Sequence, residues 1–174
     1  MKFTEILLLL IAAAVVPANA FVVTTSSFAP ASFLNSADET SEGAETQNPG
    51  GRPDWEFDFV VPKKGITDIG TAEVRLSPLL EKSDLVVVRY DLPFGLSAEP
   101  DKASGEVVVT KDGKADGGEK VGDILRQTTY WRGNQPGIFD VSKNADNFDL
   151  VVKALVTNDL NVADEIVLVF ERPL

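Results

Sequence analysis

The tetrad Pro93-Phe94-Gly95-Leu96 is the stretch of the sequence whose residue types favour binding chemistry. It begins two residues after the apolar run 84–90, so a buried strand is predicted to end before it. A glycine between two bulky apolar residues allows a sharp turn with both neighbours in the core. The N–H groups of Phe94, Gly95 and Leu96 would then bind one anion, such as a peptide carboxylate. An ordinary strand-to-loop turn has the same composition, so the tetrad alone leaves both interpretations open.

Composition removes most catalytic and metal chemistry. The 174 residues include no Cys and no His, which excludes thiol and imidazole nucleophiles and every His-ligated metal. The stretch 112–123 has acids at some positions of a calcium loop, but Lys114 stands at a ligand position and Asp123 replaces the bidentate Glu. We therefore predict a non-enzymatic protein with no cofactor and no metal site.

The charge balance bears on the choice of partner. The formal net charge is −11, and the 16 Lys and Arg residues form no cluster beyond Lys63-Lys64. Nucleic acid binding needs a basic stripe. We therefore expect a protein partner and no nucleic acid.

The first twenty residues have the pattern of a signal peptide. Lys2 precedes the apolar segment 6–16, which has 11 residues, and an Ala-Asn-Ala cleavage site ends at Ala20. The apolar segment is shorter than the roughly 20 residues that a spanning helix needs. We predict cleavage after Ala20, with a retained membrane anchor as the alternative and no integral membrane segment in the mature chain.

The segment that follows the cleavage site indicates a destination. Residues 21–37 begin with Phe21 and are rich in hydroxyl side chains. This junction resembles the bipartite plastid-targeting leader of diatoms and related algae, in which an aromatic residue follows the cut and a transit peptide comes next. The resemblance implies import into the plastid through the secretory pathway. Residues 21–37 carry no Lys or Arg, unlike most transit peptides, so secretion is the alternative.

The remaining chain divides into a linker and a folded part. Residues 38–53 are acidic and lack large apolar side chains, which predicts a disordered linker. Residues 54–83 are predicted to be an N-terminal extension with strands, and residues 84–174 a domain. Alternating or continuous apolar patterns predict strands at 55–61, 71–76, 84–90, 105–110, 123–131 and 165–170.

Two further stretches have helical patterns. The segment 114–121 is predicted to form one or two helical turns, and 144–158 an amphipathic helix. The aromatic-rich segment 130–139 is predicted to be a loop, in which Trp131 packs into the core or anchors a partner. The expected fold class is mainly β with two helices, a small open barrel or sandwich.

The order of these elements resembles that of a PDZ domain. In that family a Gly-Leu-Gly-Phe-type loop precedes the strand that pairs with a peptide ligand, and the last helix forms the other wall of the groove. Pro93, Phe94, Gly95 and Leu96 stand at the four loop positions. The resemblance is closest to PDZ-like domains of plastid and thylakoid proteins, which favour a Pro-Leu-Gly-Leu loop and open the helix with Phe-Asp, as at 148–149.

The resemblance implies a set of groove residues. The ligand would lie antiparallel to the strand from Leu96, beside Ser97 and Ala98, with its carboxylate on the loop N–H groups. The helix would contribute Phe148, Val152 and Leu155, and Arg89 stands where some members have a basic residue that assists the carboxylate. The apolar residue at 148 implies a ligand with an apolar third-last residue, and the last residue should be apolar too. The same helical stripe also fits a buried core face, and Arg89 also fits a strand position facing water.

These observations lead to two functional hypotheses. The first is a PDZ-like adaptor in plastid or thylakoid complex assembly or proteostasis, which binds the apolar C-terminus or an exposed loop of a partner. The alternative is a structural subunit whose groove is closed and which docks through its surface. A secreted protein of another binding function ranks third.

Overall fold

The computed structural model describes residues 20–21, 51–65, 70–114 and 117–174. The predicted signal peptide, transit peptide and linker lie almost entirely outside these residues. The elements in chain order are β1 (Ala20–Phe21), β2 (Trp55–Val60), β3 (Thr71–Leu76), β4 (Ser83–Asp91), β5 (Ala98–Pro100), β6 (Val107–Val109), β7 (Ile124–Arg132), β8 (Gln135–Asp140), a 3-10 turn (Ser142–Asn144), α1 (Phe148–Val156) and β9 (Glu165–Pro173).

The strands form two open antiparallel sheets. The larger sheet has the order β1-β4-β9-β7-β6-β5, with β8 also paired to β7, and β2 and β3 form a separate hairpin. Neither sheet closes into a barrel, which confirms a mainly β fold of the open sandwich type. Among the described residues, none of the helices has the length and apolarity to span a membrane.

Two central strands, β4 and β9, divide the interior into two cores because successive side chains of a strand point to opposite faces. The outer core lies between these strands and the β2–β3 hairpin, and it includes Trp55 and Phe59 of the hairpin. The inner core lies on the other face, where Val151 of α1 packs with Phe170 of β9. The 54–83 region therefore covers the outer face of the sheet.

The helix α1 forms where its pattern predicts, but it begins later. Asn147 caps it, because the Asn147 side chain accepts a hydrogen bond from the Leu150 N–H. The chain before this cap forms the 3-10 turn. Val151 and Ala154 are the buried residues of α1, so the helix attaches to the sheet along one narrow stripe.

The predicted helix at 114–121 is wrong for the part of this segment that the structure describes. Gly117 has a φ of 73°, outside the helical range, and the residues after it form turns and irregular backbone. The Glu119 side chain is 2% exposed and accepts a hydrogen bond from the Tyr90 hydroxyl. The loop is therefore fixed by a buried carboxyl group instead of helical hydrogen bonds.

The predicted loop at 130–139 is also wrong, because it is a β-hairpin. Strand β7 continues to Arg132, the chain turns at Gly133 with a φ of 59°, and β8 returns along β7. Tyr130 lies opposite Gly137, where a Cβ atom would be 2.5 Å from the tyrosine ring. Trp131 is 4% exposed, which agrees with its packing into the protein.

A buried ion pair fastens the β3–β4 connection to the sheet. Glu171 is fully buried, and its carboxylate pairs with the buried guanidinium of Arg126. The same carboxylate accepts hydrogen bonds from the N–H groups of Leu79 and Leu80 and from the Ser83 hydroxyl. Each of its oxygens therefore has a partner, as a buried charge requires.

Candidate functional site

The predicted loop is an extended strip between β4 and β5. Its side chains alternate, as in a strand: Pro93, Gly95 and Ser97 are exposed, and the inward-facing residues between them are partly buried against the inner core. The inward residues are Leu92, Phe94, Leu96 and Ala98. Phe94 and Leu96 thus point inward, as the sequence indicated.

The backbone donors of the loop are free within the described part of the chain. The N–H groups of Phe94, Gly95 and Leu96 donate to no described residue. On one side the Leu92 N–H donates to the Asp164 carbonyl at 2.8 Å, and on the other the Ser97 carbonyl accepts from the Thr110 N–H at 2.8 Å. The strip is held at both ends. Because successive N–H groups of an extended chain point in opposite directions, those of Phe94 and Leu96 lie on one side of it and that of Gly95 on the other.

Gly95 does not provide the sharp turn that was predicted for it. Its φ does not lie in the left-handed region, so a sharp turn does not require glycine here. A Cβ atom at this position would meet nothing within 4 Å. The space beside Gly95 is open, which leaves room for a ligand to approach the backbone.

Strand β5 forms one edge of the larger sheet. The backbone of Ser97 bonds to Thr110, and that of Asp101 bonds to Glu106. Because antiparallel residues alternate between facing the partner and facing away, the main-chain groups of Ala98 and Pro100 point to the open edge. Pro100 has no N–H, which limits pairing with an added strand to a short stretch.

The helix α1 carries apolar side chains beyond the part that the core buries. Phe148 and Leu155 are partly buried against the inner core, next to the buried Val151. Further round the helix, Val152 is 41% exposed and Val156 is 66% exposed. Of the predicted groove residues, Phe148 and Leu155 therefore share the inner core with the loop, and Val152 faces solvent.

The structure does not bring Arg89 to the loop. Its position on β4 places it on the same face as the outer-core residue Val87. Its guanidinium donates to Oε2 of Glu165 at 3.0 Å and to the Val60 carbonyl. Arg89 also lines an outer cavity of about 350 Å³, together with Val60, Pro62, Lys63, Gly65, Asp91, Asp164 and Glu165.

The resemblance implied an edge strand beginning at Leu96, and in the structure β5 is the outermost described strand at that end of the sheet. Pro100 is a further signal for an edge strand. Three features bear on the predicted groove: loop N–H groups that donate to no described residue, the outermost described strand β5, and the exposed apolar side chains of α1. The described residues contain no group of three or more Asp or Glu side chains placed to hold a metal ion. Comparison with models of protein families, with curated proteins and with solved structures finds no match for this chain.

Proposed function

We propose that this chain is a non-enzymatic interaction module that binds a segment of a partner protein by strand addition. The observation that carries the proposal is that the N–H groups of Phe94 and Leu96 donate to no described residue and lie next to β5, the outermost described strand at that end of the sheet. A peptide placed antiparallel to this strip receives main-chain hydrogen bonds from Leu96 and Ala98. The Phe94 N–H, which lies on the same side of the strip as those of Leu96 and Ala98, donates to an oxygen atom at the end of the bound stretch.

The helix α1 provides the second wall of the groove. Side chains of an extended ligand alternate, so every second one points toward the apolar face formed by Phe148, Val152 and Leu155. Apolar ligand residues at those positions bury the exposed surface of Val152. With one short stretch of pairing, we expect a dissociation constant in the micromolar range, about −8 kcal/mol.

The order of elements supports a PDZ-like arrangement. Strand β4, the extended loop, the short strands β5 and β6, the helix α1 and the last strand β9 follow one another, as in the resemblance noted for the sequence. The hairpins β2–β3 and β7–β8 are additional to that pattern. The proposed role is an adaptor in plastid or thylakoid complex assembly or proteostasis.

One observation favours the alternative of a structural subunit with a closed groove. Phe94, Leu96, Phe148 and Leu155 all pack against the same inner core, so a small shift of α1 toward β5 closes the space between them. In that case the exposed face of α1 docks on a partner directly. Binding of short peptides separates the two functions.

The experiment that tests the proposal is a fluorescence anisotropy screen of the full chain against labelled apolar peptides. Gly95→Glu is the blocking variant, because its side chain occupies open space and places a carboxylate next to the free donors. Thr71→Glu, which adds the same charge at an exposed position of β3, is the matched control. Binding that is lost in Gly95→Glu and retained in Thr71→Glu supports the module. Folded protein that binds no peptide contradicts it.

Targeting is tested separately. Residues 1–53 fused to a fluorescent protein are expected to reach the plastid of a diatom, and Phe21→Ala is expected to divert the fusion to secretion. Secretion of the unmodified fusion would contradict plastid import.

A further inference from the structure

Exposed acidic groups surround the proposed groove. On the loop side, Glu99 follows the loop donors and is exposed, whereas Asp91 lines the outer cavity with Arg89. On the helix side, Asp146 and Asp149 are exposed at the start of α1. The segment from 91 to 101 contains no Lys or Arg. Lys102 follows β5 and Lys153 lies in the last turn of α1, so the negative charge is concentrated at Glu99 and at the start of the helix.

A third loop carboxylate is fixed in its charged form. Asp101 accepts hydrogen bonds from the hydroxyl and the N–H of Ser104, at 2.7 and 2.9 Å. These bonds lower the pKa of the Asp101 carboxyl group. The end of β5 thus remains anionic at neutral pH.

Arg89 does not offset these charges. Arg89 lies on the outer face, and its guanidinium is engaged by Glu165 and the Val60 carbonyl. A free terminal carboxylate would be held by neutral N–H groups alone, with acidic side chains close enough to repel it over a screening length of about 8 Å. The neutral carbonyl of an internal segment uses the same donors without this repulsion.

We propose that the groove binds an internal, cationic segment of the partner, with Lys or Arg alternating with apolar residues. This inference rests on the proposed function above and specifies its ligand. Apolar side chains face Phe148 and Val152, and the intervening cations point to the other side of the ligand, where Glu99 lies, with the Asp149 charge acting from across the groove. Since Pro100 shortens the hydrogen-bonded stretch, electrostatic attraction supplies part of the affinity, which makes binding sensitive to salt.

The test uses fluorescence anisotropy of the full chain with four labelled peptides of alternating sequence. One peptide alternates Val and Lys and ends in an amide, and the second has the same sequence with a free carboxylate. The other two replace every Lys by Gln, with the same two ends. We expect the amidated Val-Lys peptide to bind at least as tightly as its free-acid form, and several-fold more tightly than the Gln peptides. Raising NaCl from 50 to 500 mM should weaken this binding by about tenfold, because the attraction is screened.

Charge-reversal variants locate the attraction. Glu99→Lys and Asp149→Lys are each expected to weaken the amidated Val-Lys peptide several-fold and to leave the Gln peptides unchanged. Glu73→Lys makes the same change at an exposed position of β3 on the outer hairpin and is the matched control. Circular dichroism of each variant shows whether it is folded.

The outcomes separate this inference from the proposed function. If binding requires a free carboxylate, the groove exists but its ligand is not an internal segment. If salt and charge reversal leave binding of the Val-Lys peptide unchanged while Gly95→Glu still abolishes it, the groove exists but its ligand is not selected by positive charge. If the folded protein binds none of the four peptides, the groove itself is contradicted, and this inference falls with it.

Discussion

The two faces of the larger sheet differ in how completely they are closed. The outer face is covered by the β2–β3 hairpin, and the buried Glu171 carboxylate behind it is fully hydrogen-bonded. The inner face is closed at its centre, where Val88, Ile166 and Leu168 are fully buried. At its margin, the N–H groups of residues 94–96 donate to no described residue, and β5 is the outermost described strand. The proposed groove therefore lies where backbone hydrogen bonding is incomplete among the described residues.

The largest expected effect comes from removing the buried ion pair between Glu171 and Arg126. Glu171→Ala leaves the buried Arg126 guanidinium without its partner and frees the Leu79 and Leu80 N–H groups. We expect a loss of about 3 to 5 kcal/mol in the free energy of unfolding, measured by urea denaturation. A cost below about 1 kcal/mol, the value of a surface pair, would contradict the assignment of this pair to the closed core.

Two neighbouring valines of α1 allow a core position to be compared with a position in the proposed groove. Val151 is fully buried and Val152 is 41% exposed. Val151→Ala should lower the free energy of unfolding by about 2 kcal/mol, whereas Val152→Ala should change it by no more than about 0.5 kcal/mol. Peptide affinity, measured on both folded variants, should fall for Val152→Ala. Equal unfolding costs would mean that Val152 belongs to the core.

Gly113 and Gly95 differ in how much space surrounds them. A Cβ atom at Gly113 would lie 2.4 Å from the Glu119 carboxyl group and 2.5 Å from the Tyr90 hydroxyl, while Gly95 has open space. Gly113→Ala should cost about 1 to 3 kcal/mol through overpacking, and Gly95→Ala should be within about 0.5 kcal/mol of the wild type. Thermal unfolding of the two variants measures this difference. A larger loss of stability in Gly95→Ala than in Gly113→Ala would show that the space beside Gly95 is not open.

The smallest expected effect is a pH dependence at Glu106. Burial raises the pKa of its carboxyl group, against lowering contributions from Arg126 and Ser142, and its Oε2 is buried without a partner among the described residues. Because the pKa is higher in the folded state, the folded protein binds the proton more tightly. The resulting stability is present at acidic pH and is lost as the pH rises through the folded pKa.

Glu106→Gln removes this titration. The variant should therefore be more stable than the wild type at pH 7, and the difference should shrink toward pH 4. Urea midpoints across that range measure it, with Glu99→Gln, an exposed site on the same hairpin, as the control. If acidification destabilises the wild type more than it destabilises Glu106→Gln, folding does not raise the pKa of the Glu106 carboxyl group.

Much of the fold could be predicted from the sequence because alternation fixes strands locally. The pattern at 71–76 matches β3 residue for residue, and the runs at 84–90 and 165–170 lie within β4 and β9. The hairpin at β8 was missed because Pro136 and Gly137 disfavour a strand, whereas the Tyr130 ring stabilises the glycine across the pair. Such a contact depends on tertiary placement, which composition does not encode.

The candidate site was predictable only in part. The tetrad 93–96 and the helix residues were identified from residue types and from the resemblance. The direction of Arg89 was not predicted, since it depends on the outer hairpin, whose Val60 carbonyl accepts from the guanidinium. The edge position of β5 was implied by the resemblance alone, since it follows from strand order, which pairs residues far apart in the chain.

An NMR titration of the ¹⁵N-labelled full chain with the amidated Val-Lys peptide shows directly whether a peptide adds to the strand at β5. Strand addition predicts downfield amide proton shifts and slowed hydrogen exchange at Phe94, Leu96 and Ala98, with side-chain effects at Val152. The outer hairpin at Trp55 and Phe59 should remain unchanged. Perturbations confined to the outer face, or none at peptide concentrations in the millimolar range, would contradict the account.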